Sequence, residues 1–119
     1  MDPVRQSRWL GALAGWYARR LGARIDVIDD LRVCSGLPRW AYPRGGVTIG
    51  DTYLTGPGEP ARGTARIRHE LVHREQWRRH GYRMAVLYLR AGRNPQRNRF
   101  EVDAGLVDGG YPQPPQRHR

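Results

Sequence analysis

The chain contains no lysine: each of its 21 basic residues is an arginine, set against 11 acidic residues and 4 histidines. It has a single cysteine, Cys34. That excludes an internal disulfide, and it excludes an iron–sulfur cluster held by this chain's own thiolates, which normally needs four ligands. A lone cysteine beside a turn reads as a small core hydrophobe. Apolar residues make up 39% of the chain, too few for more than a thin two-layer core. No apolar run approaches the roughly 18 residues of a membrane span. The N-terminal stretch with Trp9, Leu10, Leu13, Trp16 and Tyr17 is broken by Gly11, Gly15 and arginines, and it lacks the apolar core and cleavage site of a signal peptide. These absences lead to the expectation of a cytoplasmic protein with no membrane partner; oligomeric state leaves no mark in the sequence.

The 119 residues suit one compact domain over 1–108, followed by a basic, proline-rich tail over 109–119 that is expected to be disordered. The formal net charge is +10 and the isoelectric point about 11.1. A lysine-free composition reflects a coding bias, but that bias does not account for the excess of basic over acidic groups. Binding of nucleic acid or another polyanion is one reading of the charge; a solvated basic surface is the other. No stacking-aromatic motif accompanies the arginines.

Along the chain, Leu10, Leu13, Ala14, Tyr17 and Leu21 recur at helical spacing, which predicts a helix over 3–21 ended by Gly22. Trp9 and Trp16, one heptad apart, are expected in the core or at its rim. From Arg24 to Val33 the pattern is extended. It places Ile25, Val27, Leu31 and Val33 on one side, with Asp29-Asp30 as a bend or tight turn. Trp40 and Tyr42 are expected to pack on the sheet. Val47–Thr55 reads as a hairpin turning at Gly50-Asp51, or as one strand with a bulge there. A strand placed just before the next helix can offer a free edge to an extended peptide.

A helix is predicted from Thr64 to His80, stopped by Gly81. Ile67 and Leu71 form one of its stripes; His69, His73 and Trp77 form the adjacent one. Gln76 can support either core or site, while Arg74, Arg78 and Arg79 read as a solvated face. Residues 82–89 are apolar enough for a short buried helix. Asn94-Pro95 supplies a cap and a first helical residue for a last helix carrying Phe100, Glu101, Ala104, Gly105 and Asp108.

The chemistry lies in His69-Glu70-Leu71-Val72-His73. On a helix, H-E-x-x-H sets His69 and His73 one turn apart on one face, each able to give a ring nitrogen to one Zn²⁺. Glu70 then lies beside the metal, placed to take a proton from its water. Two histidines leave a catalytic zinc one protein ligand short. His80 is a poor third: seven residues beyond His73 it sits about 10 Å along the axis, and Gln76 stands where the longer H-E-x-x-H-x-x-G-x-x-H pattern needs glycine. Glu101, 28 residues after His73 on a separate helix, is the better candidate, with Asp103 and Asp108 as substitutes or as partners orienting a ligand.

Helix, small antiparallel sheet, H-E-L-V-H helix and a helix with Asn98-Arg99-Phe100-Glu101-x-x-Ala104 together resemble the minimal gluzincin-type zinc metallopeptidases, the minigluzincins, over roughly residues 20–108. The resemblance implies an α+β, zincin-like fold, one Zn²⁺ on His69, His73 and Glu101, and Glu70 as base. One position departs from the pattern. Gluzincins often carry an acidic residue four places after the ligand glutamate to orient a metal histidine; here that place is Gly105, with Asp108 the nearest substitute. The expected function is zinc-dependent hydrolysis of a peptide or protein substrate. Oxyanion stabilisation would come from Tyr82, Tyr88, His80 or an arginine. The rival from another class is a non-catalytic zincin-fold module that binds nucleic acid or a protein partner.

Overall fold

The structure, a computed structural model, describes residues 2–42, 46–58, 63–92, 94–95 and 97–105. The expected tail and Asp108 lie outside them. Helix α1 spans Pro3–Arg20, capped by Asp2, whose side chain accepts from the Arg5 N–H, with Pro3 in the first turn. Its buried stripe is made only of small residues: Ser7, Gly11, Ala14, Gly15 and Ala18. That lets the sheet approach closely. A Cβ on Gly11 would meet the Asp51 backbone nitrogen at 2.8 Å, so only glycine fits there. The large side chains go the other way. Trp9 and Trp16 are 52% and 64% exposed, and Trp40 is 73% exposed, so all three leave the packed positions expected of them.

The extended segment is a hairpin of β1 (Arg24–Ile28) and β2 (Leu31–Ser35). Asp29 and Asp30 both adopt positive φ, 50° and 64°, the backbone of a two-residue turn that aspartate tolerates. This turn changes the expected faces. Cross-strand partners share a side, and the register pairs Ile25 with Cys34 but Ile28 with Leu31. Leu31 and Val33 therefore face away from Ile25 and Val27, because two turn residues reset the alternation.

A second hairpin joins β3 (Val47–Ile49) to β4 (Thr52–Leu54) through Gly50-Asp51. The strand order is β1-β2-β4-β3, and β2 pairs β4 in parallel. The sheet is thus mixed, not antiparallel. The connection after β2, through a 3-10 turn at Arg39–Ala41, carries the chain past β4 to start β3 at the edge, so β4 returns alongside β2 in the same direction.

Both sheet faces are covered, one layer more than expected. Cys34 and Leu54 pack with Ala14 and Ala18 of α1, while Val33 and Tyr53 pack with Ile67 on the opposite side. Cys34 is fully buried, and burial pushes its thiol up to about 11, so it acts as a core hydrophobe. Ile67 belongs to α2 (Thr64–His80), which ends as predicted at Gly81, whose N–H bonds the Trp77 carbonyl. Arg78 does not lie on a solvated face. Its guanidinium is bidentate to Asp51, at 3.1 and 2.8 Å, while Ser7 donates to the same carboxylate at 2.6 Å. One aspartate thereby ties α1, the β3–β4 turn and α2.

Helix α3 spans Arg83–Ala91 and is not a buried helix: only Met84 is buried, and Val86 and Leu89 are exposed. Helix α4 spans Arg99–Ala104, and its cap is Asn98, not Asn94. Asn94 instead starts a turn that accepts the Asn98 N–H at 2.9 Å. Buried Asn98 also donates to the carbonyls of Gly92 and Tyr88, fastening α4 to the end of α3. Among the described residues no helix is long and apolar enough to cross a membrane.

Candidate metal centre

Helix α2 buries three polar residues, His69, Glu70 and His73, beside Ile67. Burial of this kind requires partners, and each side chain has them. His69 and His73 stand one turn apart, and α4 lies across them, so Glu101 meets both rings. His69 Nε2 is 3.0 Å from His73 Nε2 and 3.2 Å from Glu101 Oε1, and His73 Nε2 also contacts Glu101 Oε1. Among the described residues these three form the cluster able to hold a metal ion. Bonds of about 2.0–2.1 Å in a tetrahedron place ligand atoms about 3.3 Å apart, close to the two distances from His69 Nε2.

The outer hydrogen bonds fix which ring atoms point inward. The Gly105 carbonyl, 2.7 Å from His69 Nδ1, is an acceptor only, so Nδ1 must carry the proton. Gln76 donates through Nε2 to the Phe100 carbonyl at 2.9 Å, which turns its Oε1 toward His73 Nδ1 at 2.8 Å. That nitrogen must be protonated too. Both Nε2 atoms are then left with lone pairs facing a carboxylate oxygen. Three electron-rich atoms at this distance repel one another unless a cation, a proton or a metal ion, sits between them. The donor set therefore suits a divalent metal.

Protonation shows the same demand. Burial works against a charged His73, but the hydrogen bond to Glu101 and the Glu70 and Glu101 charges outweigh it, and the pKa is raised. Burial likewise opposes ionisation of Glu101, yet hydrogen bonds from His69 and His73, the His73 charge and Tyr88 hold its carboxyl far below the usual range. A metal entering the site would displace that shared proton. Tyr88, expected as an oxyanion donor, gives its hydroxyl to Glu101 Oε2 at 2.9 Å and so leaves Oε1 to the cluster.

Glu70 faces the cluster from the side, with Oε1 4.0 Å from His69 Nε2. Arg66, one turn earlier, pairs with that oxygen at 3.1 Å, and Thr48 of the edge strand β3 donates to Oε2 at 2.5 Å. Trp77 donates its indole N–H to the Thr48 carbonyl at 2.9 Å, so the outward carbonyl at the middle of β3 is already taken. The cluster forms the floor of a cleft of about 640 Å³, walled by Val47, Ile49, Trp77, Met84 and Leu89.

The other expected residues lie elsewhere. His80 packs edge-on against Phe100, 6.0 Å between ring centres, and burial followed by the Arg79 and Arg99 charges lowers its pKa. Tyr82 lines the cleft, and its backbone N–H bonds Gln6. Asp103 is exposed on α4. The Gly105 carbonyl, not an acidic side chain, holds the outer nitrogen of His69. Arg66 and Thr48 were not anticipated: Arg66 at four residues before Glu70 was a readable signal, whereas nothing in the sequence points from Thr48 to Glu70. Compared with family models, curated proteins and solved structures, the chain matches none.

Proposed function

We propose that the chain is a zinc-dependent peptide hydrolase of gluzincin type. The observation that carries this reading is the convergence of two tautomer-fixed imidazole nitrogens and one carboxylate oxygen beside a second, non-ligating glutamate. His69, His73 and Glu101 would hold the ion, and Gln76, the Gly105 carbonyl and Tyr88 would keep those three in place. When bound, zinc supplies a Lewis acid that makes water more acidic and polarises a carbonyl. The protein's own part in hydrolysis falls to Glu70. It takes the proton of the attacking water on the oxygen facing the cluster and returns it to the departing amine nitrogen. The apolar cleft walls exclude bulk water from that transfer and give side chains of a substrate somewhere to bury.

A second reading is favoured by the Arg66 and Thr48 contacts, which engage both oxygens of Glu70: a metal-holding module without turnover, whose basic surface binds a polyanion or a protein. One pair of variants separates the two. His73→Ala should lose bound zinc by elemental analysis, while Glu70→Gln should keep zinc and lose cleavage of an unstructured protein such as casein. Unchanged zinc content in His73→Ala removes the metal site; equal cleavage by Glu70→Gln and the native chain removes the base.

A further inference from the structure

Helix α1 is built inside out for a protein that meets only water. Its core-facing residues are small, whereas Trp9, Leu13 and Trp16 project from the face opposite the buried stripe. At 100° per residue these three lie within one sector, and Trp9 and Trp16 are about 10.5 Å apart along the axis. Arginines surround them: Arg5 and Arg8 toward one end, Arg19 and Arg20 at the other, with no acidic residue anywhere in Pro3–Arg20. The Arg20 guanidinium sits over the Trp16 ring, 5.7 Å from its centre. Leu13 also lines an apolar groove of about 320 Å³, shared with Leu10, Tyr17, Val47 and Ile49, so the apolar surface continues past the helix.

We propose that this face of α1 docks on an anionic lipid surface, lying in the plane of the interface with Trp9, Leu13 and Trp16 inserted among the headgroups and the arginines on the lipid phosphates. Indole rings favour that depth, since it offers an apolar body and a wet edge together. Arginines on both ends of the helix meet negative charge, and the one acid beside them is the exposed capping Asp2, paired with Arg5 at 3.7 Å. A second copy of the chain fits the face poorly, because a two-fold contact would set the same arginines against each other. Single-stranded nucleic acid would find rings at Trp9, Trp16 and Tyr17, but Leu13 between the tryptophans and the aliphatic Leu10, Val47 and Ile49 of the groove match acyl chains and not bases.

The test is co-sedimentation of the full chain with phosphatidylcholine vesicles, with and without phosphatidylglycerol, alongside anisotropy of a labelled oligo-dT. Binding to the anionic vesicles alone is expected. Trp9→Ser with Trp16→Ser, both exposed and so leaving the circular dichroism unchanged, should weaken it by about tenfold or more. Arg5→Gln and Arg20→Gln should each cost about fivefold. The proposal is overturned by absent vesicle binding, by equal binding to neutral vesicles, by undiminished binding of the double tryptophan variant, or by oligo-dT binding tighter than the vesicles and lost in that same variant.

Discussion

Two imidazoles can serve one metal only if each turns a bare nitrogen toward it, and in this protein that condition is met from outside the cluster. A backbone carbonyl sets His69 and a side-chain amide sets His73. The two are not equally exposed to mutation, since no substitution removes the Gly105 carbonyl. Gln76 can be removed. Gln76→Leu keeps the volume but takes away the acceptor that holds the His73 N–H, leaving that ring free to rotate or change tautomer. Zinc affinity, measured by competition with a chromophoric chelator, should fall by about 10- to 100-fold with the helix intact. A loss below threefold would mean that helix packing alone orients His73. Arg66 and Thr48 raise the complementary question for Glu70, because they hold a carboxylate that the proposed hydrolysis requires to receive a proton. Arg66→Met tests whether the ion pair restrains or serves the base; the hydrolase reading expects lowered cleavage with zinc content unchanged, since Arg66 pairs with Glu70, which is not one of the three clustered residues.

At the scale of elements, α2 was the most legible, because its stop at Gly81 and its histidine stripe are local properties of consecutive residues. The two hairpins were legible as turns. Which face each strand shows was not, since two residues at Asp29-Asp30 reset the alternation and only the register decides it. The mixed sheet was hidden for a related reason: whether β4 joins β2 or β1 depends on a crossover with no local signature. Helix α4 began later than Asn94-Pro95 because Asn98, buried and bonded to two carbonyls, caps it better than an exposed asparagine can. Asp51 was legible in the sequence only as a turn residue, and it is the tie between elements. Burial opposes its ionisation, but the hydrogen bonds from Arg78 and Ser7 and the arginine charge prevail, so its pKa is lowered in the folded chain. A depressed carboxylate stabilises the fold above its unfolded pKa of about 3.9, and that contribution disappears as pH falls through the folded value. Asp51→Asn should therefore cost about 1–3 kcal/mol in urea unfolding at neutral pH, and the gap to the native chain should narrow in acid. A gap that stays constant with pH would show that the aspartate acts by shape and not by charge.

At the scale of the whole molecule, α4 is short, six residues, and its place over α2 depends on what Glu101 and Asn98 hold. The core that backs it is small, divided between two patches on opposite sheet faces. A metal ion joining His69 and His73 to Glu101 would cross-link α2 to α4, so binding and folding should be coupled. By mass action, free zinc at about 100 times its dissociation constant stabilises the folded chain by about 2.7 kcal/mol if the unfolded chain does not bind it. With an unfolding entropy of about 0.25 kcal/mol/K for a chain of this length, that corresponds to a rise in Tm of about 11 °C. Removing the ion with a chelator should reverse the rise in the native chain and in Glu70→Gln, and should change nothing in Glu101→Gln if that carboxylate is a ligand. Amide hydrogen exchange then locates the effect. Protection gained with zinc should concentrate in residues 97–105 and the facing turn of α2, and a gain spread evenly over the sheet would instead mean that the ion acts on global stability without fastening α4.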